Sequence, residues 1–236
     1  MENSKISIVI PVYNEEAILA AAVHDLIARL PDLDREYELI IAENGSRDKT
    51  IEIAQDLSEK HEQVITFSAS APDYGLALRE GIDLASGEFV ICDEIDICDV
   101  DFYKRALERL ETGEADLVVG SKVMKGADDR RPLGRRAATR VINGLLRVLL
   151  GFKGTDTHGL KAFKKSTLID TAHSCLVNRD LFASEFVIRA QRGGINVLEI
   201  PVSIMEKRPP SIDLTRRVPA VIKGLVRLFA AIRLGV

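Results

Sequence analysis

The 236-residue chain has few cysteines, no excess of positive charge and no long hydrophobic segment. Its three cysteines, Cys92, Cys98 and Cys175, form neither a CxxC motif nor a set of pairs. Buried thiols in a reducing compartment are therefore expected, rather than disulfides or a zinc site. A formal net charge of −4 argues against a nucleic-acid-binding protein that is basic over its whole surface. No run of about 18 uncharged apolar residues is present, so no membrane-spanning helix is predicted.

The chain also lacks a recognisable signal peptide, an internal repeat and a low-complexity segment. A cytoplasmic protein is therefore expected. Hydrophobic residues at 46% and charged residues at 29% are typical of a globular protein. The length suffices for one large domain with a substantial core. We predict a domain over residues 1–210, followed by a basic amphipathic helix over 211–236.

Apolar runs of strand length alternate with helical patterns through the first half of the chain. Strands are predicted at residues 6–10, 39–42, 64–67, 89–92 and 117–120, with helices near 18–30, 46–60, 76–85 and 102–110. This alternation predicts an α/β fold with a mostly parallel sheet. In such sheets ligands bind beyond the carboxyl ends of the strands. The polar residues at those ends are Tyr13, Asn14, Glu15, Glu43, Asn44, Glu94 and Asp96.

The second half departs from this alternation. A strongly apolar helix is predicted over 137–150, directly after Arg135 and Arg136, and a polar loop over 155–159. A helix over 181–192 and a strand over 197–205 follow, and Pro201 inside that strand favours an edge of the sheet. The tail from 218 to 236 is apolar with interspersed basic residues.

The segment over residues 87–96 combines a buried strand with a cluster of acids. The apolar run Phe89–Cys92 is followed directly by Asp93, Glu94 and Asp96. Carboxylates held close together repel one another unless positive charge compensates them. Mg²⁺ bound by one or two carboxylates and by substrate phosphates provides that charge. The pattern favours a nucleotide-dependent enzyme, and a solvated acidic loop is the alternative that this segment alone leaves open.

Several motifs, taken in order, resemble the family 2 inverting glycosyltransferases of GT-A fold. Residues 7–16 are similar to their opening strand and loop, residues 42–50 to their second signature, and residues 75–96 to the segment that leads into their Asp-x-Asp motif. Residues 120–122, the pair Arg135-Arg136 and residues 156–163 resemble one branch, the polyprenyl-phosphate (dolichyl-phosphate) sugar synthases. In that branch the last segment commonly reads Asp-x-x-Ser-Gly-Phe-Arg-Ala-Phe. The resemblance covers nearly the whole chain.

The chain departs from the family pattern at both acidic signatures. Glu43-Asn44 replaces the paired aspartates of the second strand, and Glu94-Ile95-Asp96 replaces the Asp-x-Asp motif. Asp93 is an additional acid before it. Glutamate keeps the negative charge, whereas Asn44 keeps only the hydrogen bonding. A nucleotide-sugar-binding protein with weak or lost catalysis is therefore an alternative to an active transferase.

The resemblance implies a role for each polar group. Glu94 and Asp96 would hold Mg²⁺ or Mn²⁺ at the diphosphate of the donor. The donor nucleotide would be bound by Pro11, Tyr13, Glu15, Glu43, Asn44 and Asp93, and the acceptor phosphate by Lys122, Arg135, Arg136, Thr139 and Arg208. The residues expected to be catalytic are Asp96, Lys122 and Arg135. Structural alternatives are a core aromatic for Tyr13 and a strand terminator for Pro11.

The acceptor decides which catalytic groups are needed. A sugar hydroxyl requires a general base, for which His158 is a candidate. A phosphate monoester has a second pKa of about 6 and is already an anion at neutral pH. Arg135 and Arg136 precede the predicted helix, where cations oppose the helix dipole, and this indicates that they serve an anion.

Two segments are suited to a membrane surface. The apolar helix over 137–150 and the basic, apolar tail both fit helices in a lipid interface, with burial against each other or in a homodimer as alternatives. We predict an inverting transferase that moves a hexose, with GDP-mannose as the first choice of donor, to a polyprenyl phosphate at the cytoplasmic face of a membrane. A transferase acting on a saccharide or protein hydroxyl is the alternative, and no nucleic-acid partner is expected.

Overall fold

The computed structural model describes residues 4–69, 72–178, 181–204 and 214–235, with the backbone only for 214–220. Its strands are β1 (Ile6–Val12), β2 (Tyr37–Glu43), β3 (Val64–Ser68), β4 (Phe89–Cys92), β5 (Leu117–Ser121), β6 (Asp128–Asp129), β7 (Lys161–Lys164), β8 (Val197–Pro201) and β9 (Ser203–Ile204). Its α-helices are α1 (Leu19–Arg29), α2 (Thr50–Lys60), α3 (Tyr74–Leu84), α4 (Val100–Glu111), α5 (Leu133–Leu150), α6 (Lys165–Ser174), α7 (Phe182–Arg192) and α8 (Leu214–Arg233).

A seven-stranded sheet of order β3-β2-β1-β4-β7-β5-β8 forms the centre of the fold. Strands β1 to β4 pair in parallel, as do β5 and β8, which confirms the predicted α/β class. Strand β7 runs antiparallel to both of its neighbours, β4 and β5, and the sequence patterns did not predict it. Its reversal places its first residue, Lys161, opposite Cys92 and Val119, close to the carboxyl ends of β4 and β5.

Apolar side chains on both faces of the sheet build two core layers. Alternate residues of β1 point to opposite faces, so Ile6, Ile8 and Ile10 join one cluster and Val9 joins the other. Helices α1, α2 and α4 cover the first face, and α3, α5, α6, α7 and α8 cover the second. A sheet covered on both faces explains why its strands are nearly continuous apolar runs.

Element boundaries differ from the prediction at three places. Pro11 does not end β1, because the strand continues to Val12 and Pro11 lies in register with Ala42 of β2. Helix α5 begins at Leu133 rather than at residue 137, so Arg135 and Arg136 lie inside its first turn. The predicted strand over 197–205 is interrupted after Pro201, and β8 occupies an edge of the sheet as expected.

The C-terminal helix α8 packs on the body of the fold through its last turns. Leu228 and Ala231 are buried in the second core cluster. Arg189 and Arg192 of α7 donate hydrogen bonds to the carbonyls of Ala231 and Ile232, at 3.1 and 2.8 Å. The division at residue 210 stays a prediction, since it falls among residues outside the described ranges. Within the described ranges, no helix combines the length and hydropathy that crossing a bilayer requires.

Candidate active site

The loops after β1 and β2 are joined by hydrogen bonds. The backbone amide of Asn14 donates to Ser46 Oγ at 2.9 Å, and the amide of Arg47 donates to Asn14 Oδ1 at 2.9 Å. The amide of Glu15 donates to Thr50 Oγ1 at 2.8 Å. Asn14 has a φ of 54°, in the left-handed region that asparagine tolerates better than most residues. These bonds join the two loops into one wall of the sheet edge.

The residues expected to bind the donor nucleotide lie along this wall. Tyr13 is exposed, whereas Pro11, Glu15, Glu43 and Asn44 are buried. The Glu43 carboxylate accepts hydrogen bonds from the Ser46 amide at 2.5 Å and from the Ser68 hydroxyl. Asn44 Oδ1 accepts a bond from the Asp73 amide at 2.6 Å. Glu43 and Asn44 therefore hold neighbouring loops in place, and their contacts with a nucleotide stay a prediction.

The acids after β4 have different surroundings. Glu94 and Asp96 are half-buried. Burial raises the pKa of Glu94 and repulsion from Asp96 acts in the same direction, while Lys122, Lys161 and Arg131 oppose the shift. Asp93 is 2% exposed, and its carboxylate accepts bonds from the Glu94 and Asp99 amides and from the Tyr103 hydroxyl. Burial raises the pKa of Asp93 to about 7, although these three bonds act to lower it.

A buried lysine follows β5. Lys122 is 8% exposed, and its Nζ donates to the His158 carbonyl at 2.9 Å and lies 4.0 Å from Asp156 Oδ2. Asp156 is fully buried and accepts bonds from the amides of Lys122 and His158. Burial raises the pKa of Asp156, but attraction to Lys122 and these bonds outweigh it, so that the pKa lies below its ordinary value. Asp156 thus holds the Lys122 ammonium group in place, where it acts on the charge of Glu94.

Lys161 is a second buried cation at this edge, and it was not among the residues predicted to form the site. It is 3% exposed, and its Nζ donates to the Gly159 carbonyl at 2.8 Å. Burial lowers the pKa of Lys161 to about 8, with attraction from Cys92, Asp156 and Glu94 acting in the opposite direction. The signal was present in the sequence, because Lys161 stands where the related branch commonly has arginine.

The backbones of Gly120 and Gly159 pack directly against each other, next to the segments that carry Lys122 and Lys161. A Cβ atom on Gly159 would lie 1.6 Å from the Gly120 carbonyl oxygen, so only glycine fits there. Glu199 of β8 accepts bonds from the amides of Thr155 and Asp156, at 2.6 and 3.0 Å. The loop that carries Asp156 is therefore fastened on both sides.

Basic residues lie on α5 and in the segment before it, and one of them, Arg131, acts on the charge of Glu94. Arg131, which was also not among the predicted site residues, pairs with Asp129 through Nε and Nη2, at 2.9 and 2.8 Å. Its Nη2 donates to Thr139 Oγ1 at 3.3 Å. Arg135 and Arg136 are half-buried in the first turn of α5. Arg136 Nε is buried without a hydrogen-bond partner in the described structure. Arg208 lies outside the described residues.

The edge therefore combines two half-buried carboxylates with several cations. No group of three or more His, Cys, Asp and Glu side chains in the described ranges is arranged to hold a metal ion by itself. Oxygen ligands from Glu94 and Asp96 still fit a hard divalent cation, because Mg²⁺ commonly takes one or two carboxylates and completes its shell with phosphates and water. The arrangement can bind a diphosphate through such a cation and a second anion through arginine.

Sequence comparisons identify related proteins. A family model described as Glycosyl transferase family 2 matches residues 7–186. Glycosyltransferase AglD of Haloferax volcanii is 31% identical over 219 residues, which are 90% of this chain and 35% of that protein. The undecaprenyl-phosphate 4-deoxy-4-formamido-L-arabinose transferase of Photorhabdus laumondii is 31% identical over 145 residues, 60% of this chain and 43% of that protein. The chain thus spans less than half the length of these relatives.

Structural comparison supports the same fold. Glucosyl-3-phosphoglycerate synthase from Mycobacterium tuberculosis, crystallised with Mn²⁺, uridine diphosphate and phosphoglyceric acid, superposes with a TM-score of 0.67. The match covers 96% of this chain and 79% of that chain at 23% sequence identity. At this identity the likeness establishes a shared architecture.

Proposed function

The chain belongs to glycosyl transferase family 2, and from that membership we propose that it transfers a hexose from a nucleotide-sugar to a polyprenyl phosphate. The observation that carries the proposal is the sheet edge itself, where the half-buried Glu94 and Asp96 lie among the cations Lys122, Lys161 and Arg131. A donor diphosphate and an acceptor phosphate are both anions, and an edge with separate cationic groups suits two anions.

The nucleotide end of the donor would lie against the wall formed by the loops after β1 and β2. Tyr13 is the exposed aromatic there and offers a face for the base. Pro11, Glu15, Glu43 and Asn44 are assigned to this region, with Glu43 and Asn44 shaping it through their loop contacts. Asp93, which was also predicted to bind the nucleotide, is left out because its carboxylate is buried and accepts three hydrogen bonds from the protein. GDP-mannose is our first choice of donor, on the family resemblance alone.

Glu94 and Asp96 would hold Mg²⁺ or Mn²⁺, which when bound neutralises the charge of a diphosphate leaving group. Support comes from the oxygen ligands and from the mixed charge around them. Burial raises the pKa of Glu94, and Lys122 and Lys161 oppose this rise and so favour the ionised carboxylate that a cation requires. The Mn²⁺ and uridine diphosphate in the structural neighbour are consistent with this assignment.

The acceptor phosphate would be gripped by the basic groups around α5. Its oxygen is an anion at neutral pH, so it forms the new bond to the anomeric carbon without losing a proton. The bond from that carbon to the donor diphosphate breaks, and the nucleoside diphosphate leaves with the electron pair. During this step the acceptor is positioned, and screened from the donor's phosphates, by Lys122, Arg135, Arg136 and Thr139. Arg131 joins this group because it donates a hydrogen bond to Thr139.

A lipid acceptor requires contact with a membrane surface. Helices α5 and α8 pack against each other, and both expose apolar side chains: Val141, Leu145 and Val148 from α5, and Ile222, Val226 and Phe229 from α8. We call these six side chains the apolar face. Lys223 and Arg227 are exposed beside it on α8. Apolar side chains flanked by cations favour an anionic lipid interface. The three cysteines are free and buried, which supports the cytoplasmic face.

The proposal is tested with a panel of GDP- and UDP-sugars assayed against a short polyprenyl phosphate, a free saccharide and a hydroxyl-bearing peptide. Transfer to the lipid phosphate, with release of one nucleoside diphosphate per sugar, is the expected result. Transfer to a hydroxyl acceptor only would contradict it. Binding of a nucleotide-sugar without transfer to any acceptor would favour a binding protein instead.

A further inference from the structure

One carboxylate closes both ends of the loop between β4 and α4. The loop, residues 93–99, carries Glu94 and Asp96. Asp93 Oδ1 accepts from the Glu94 amide at 2.5 Å, and Asp93 Oδ2 accepts from the Asp99 amide at 3.2 Å. The first and last residues of the loop are thus joined through one side chain. Asp99 also caps α4, because its Oδ1 accepts from the Phe102 amide at 3.0 Å.

The third bond to this carboxylate comes from the core. Tyr103 lies on α4 and is fully buried, and its hydroxyl donates to Asp93 Oδ2. A buried carboxylate loses its hydration and is stable only when donors replace the lost water. All three donors here belong to the protein, and the backbone amide of Asp93 donates to Val9 at 3.0 Å. Asp93 is therefore turned into the fold and fixed to β1, the loop and α4 together.

The rest of the loop is arranged so that Glu94 and Asp96 stay at the edge. Ile95 and Cys98 are buried in the first core cluster. The amides of Ile97 and Cys98 both donate to the Glu94 carbonyl, at 2.9 and 3.3 Å. Cys98 has a φ of 50°, a backbone conformation that needs surrounding contacts to persist. The buried residues anchor the loop, and Glu94 and Asp96 remain half-buried.

We propose that Asp93 is a positioning residue, which with Tyr103 clamps the loop so that Glu94 and Asp96 are held in the geometry for a divalent cation. The proposal rests on the metal site of the proposed function, and it gives the additional acid a role other than ligation or nucleotide contact. A clamped loop is already ordered before the cation arrives, so binding loses less conformational freedom. Tyr103 acts only through Asp93, since it is fully buried in the core.

The test compares Tyr103→Phe, Asp93→Asn and the double variant in the full chain. Tyr103→Phe keeps the ring that packs in the core and removes the donor to Asp93. Tyr37→Phe is the matched control, because the Tyr37 hydroxyl lies at the opposite end of the sheet and accepts a bond from Gln63 there. Mn²⁺ affinity is measured by titration calorimetry or electron paramagnetic resonance, and loop amides by hydrogen exchange, at a temperature where every variant is folded.

Both single variants should bind Mn²⁺ more weakly, by about two- to tenfold for the loss of one hydrogen bond. The Mn²⁺ concentration for half-maximal transfer should rise by the same factor, while the rate at saturating Mn²⁺ changes little. The amides of Glu94 and Asp99 should exchange faster. The double variant should be no worse than Asp93→Asn, because the two side chains act through the same contact. Tyr37→Phe should match the wild type.

Three results would overturn the proposal. Wild-type Mn²⁺ affinity and exchange in Tyr103→Phe would show that the clamp does not exist. Loss of Mn²⁺ binding in Asp93→Asn alone, with Tyr103→Phe normal, would make Asp93 a direct ligand. A wild-type chain that binds no Mn²⁺ would contradict the metal step of the proposed function, and the positioning role with it. Unchanged hydrogen exchange of the loop amides in the variants would contradict the clamp alone.

Discussion

At the scale of single residues, the acids of the sheet edge fall into two groups that their sequence positions do not distinguish. Glu43, Asp93 and Asp156 are buried and accept hydrogen bonds from protein amides. Glu94 and Asp96 are half-buried beside several cations. A carboxylate whose oxygens are occupied by protein donors has little capacity left for a ligand. Replacing Glu94 or Asp96, the half-buried pair, is therefore expected to cause the loss of function.

Asp96→Ala should reduce sugar transfer by at least about 100-fold, because a group that holds charge at a leaving diphosphate acts mainly in the transition state. Transfer rates are measured with and without excess EDTA, and folding by circular dichroism. Asp101→Ala is the matched control, since that aspartate lies on α4 and pairs with Arg105 at the surface. Full activity of Asp96→Ala, or of the wild type in EDTA, would refute the metal assignment.

Arg135→Ala should raise the KM for the lipid phosphate by about 10- to 100-fold, since charge-assisted hydrogen bonds contribute about 1.5–3 kcal/mol. The KM for the nucleotide-sugar should change much less. Arg140→Ala serves as the control, because Arg140 is exposed on the same helix. Assays use a short acceptor in detergent to separate phosphate binding from membrane contact. An equal rise in both KM values would assign Arg135 to the donor.

At the scale of secondary-structure elements, packing determined which apolar side chains of α5 and α8 are buried and which are exposed, and local periodicity had left this open. Helix α5 buries Leu146 and Leu150 and exposes Val141 and Val148, so its apolar residues exceed what one buried stripe requires. Helix α8 is similar, with Leu228 buried and Val226 exposed. One side of α8 is therefore part of the core and the other side is surface. Deleting the whole helix would disturb the core and the surface together, so point substitutions on the exposed side are needed to separate them.

Replacing Ile222, Val226 and Phe229 by Ser should abolish sedimentation with anionic vesicles at low salt while leaving the buried side of α8 intact. The wild type should sediment, and less so at high salt, because each basic residue near the surface contributes about 1 kcal/mol. The matched control replaces Ile65, Leu84 and Leu176, which are exposed elsewhere. Equal sedimentation of wild type and triple variant would contradict the membrane contact. A wild-type dimer that the triple variant dissociates would make α8 a subunit interface.

Gly159→Ala should lower the free energy of unfolding by about 2–4 kcal/mol or prevent folding, because the new methyl group would overlap the Gly120 carbonyl. Gly144→Ala in α5 is the matched substitution, since its Cβ would meet nothing within 4 Å. It should be neutral or stabilising by about 0.5–1 kcal/mol through helix propensity. Denaturant unfolding measures both. A Gly159→Ala protein as stable as the wild type would show that the loop can move away from β5.

At the scale of the whole molecule, the charged groups at the two ends of the sheet differ in what they contact. The carboxyl ends gather groups for ligands, whereas the opposite end holds a closed network around Glu38. Glu38 accepts bonds from Lys5 at 2.7 Å, from Ser7 at 2.6 Å and from the Ser86 amide at 2.6 Å. Burial raises the pKa of Glu38, but these bonds outweigh it and lower the pKa from 4.5 to about 2.

This network predicts a defined loss of stability in acid. Because the folded pKa lies below the unfolded value, the unfolded chain binds more protons between pH 4.5 and about 2. The contribution of Glu38, about 3 kcal/mol, is present above pH 4.5 and is lost as the pH falls through about 2. Glu38→Gln should reduce the free energy of unfolding at pH 7 and flatten its decline over that window. Glu36→Gln, at an exposed neighbouring position, should follow the wild type. If the free energy of unfolding of Glu38→Gln and of the wild type fell in parallel with pH, Glu38 would not be the origin of the acid sensitivity.

The sequence by itself determined the class of fold, the positions of most elements and the segments that carry polar residues to one edge. Apolar runs and helical spacing are local properties, so β1 to β5 and α1 to α4 appear within a few residues of their predicted bounds. The motif order indicated the family through local signatures as well, and the matched family model agrees with it.

The tertiary structure decided which groups meet at that edge and which way they point. A strand's partner depends on contacts far away in sequence, so only the folded chain shows that β7 is inserted in reverse between β4 and β5. That reversal brings Lys161 to the site, from a segment with no local strand signal. Asp93 and Glu94 are neighbours in sequence, yet one is turned inward by the Tyr103 hydroxyl and the other stays at the edge. Burial and donor placement, which are non-local quantities, assign different tasks to adjacent carboxylates.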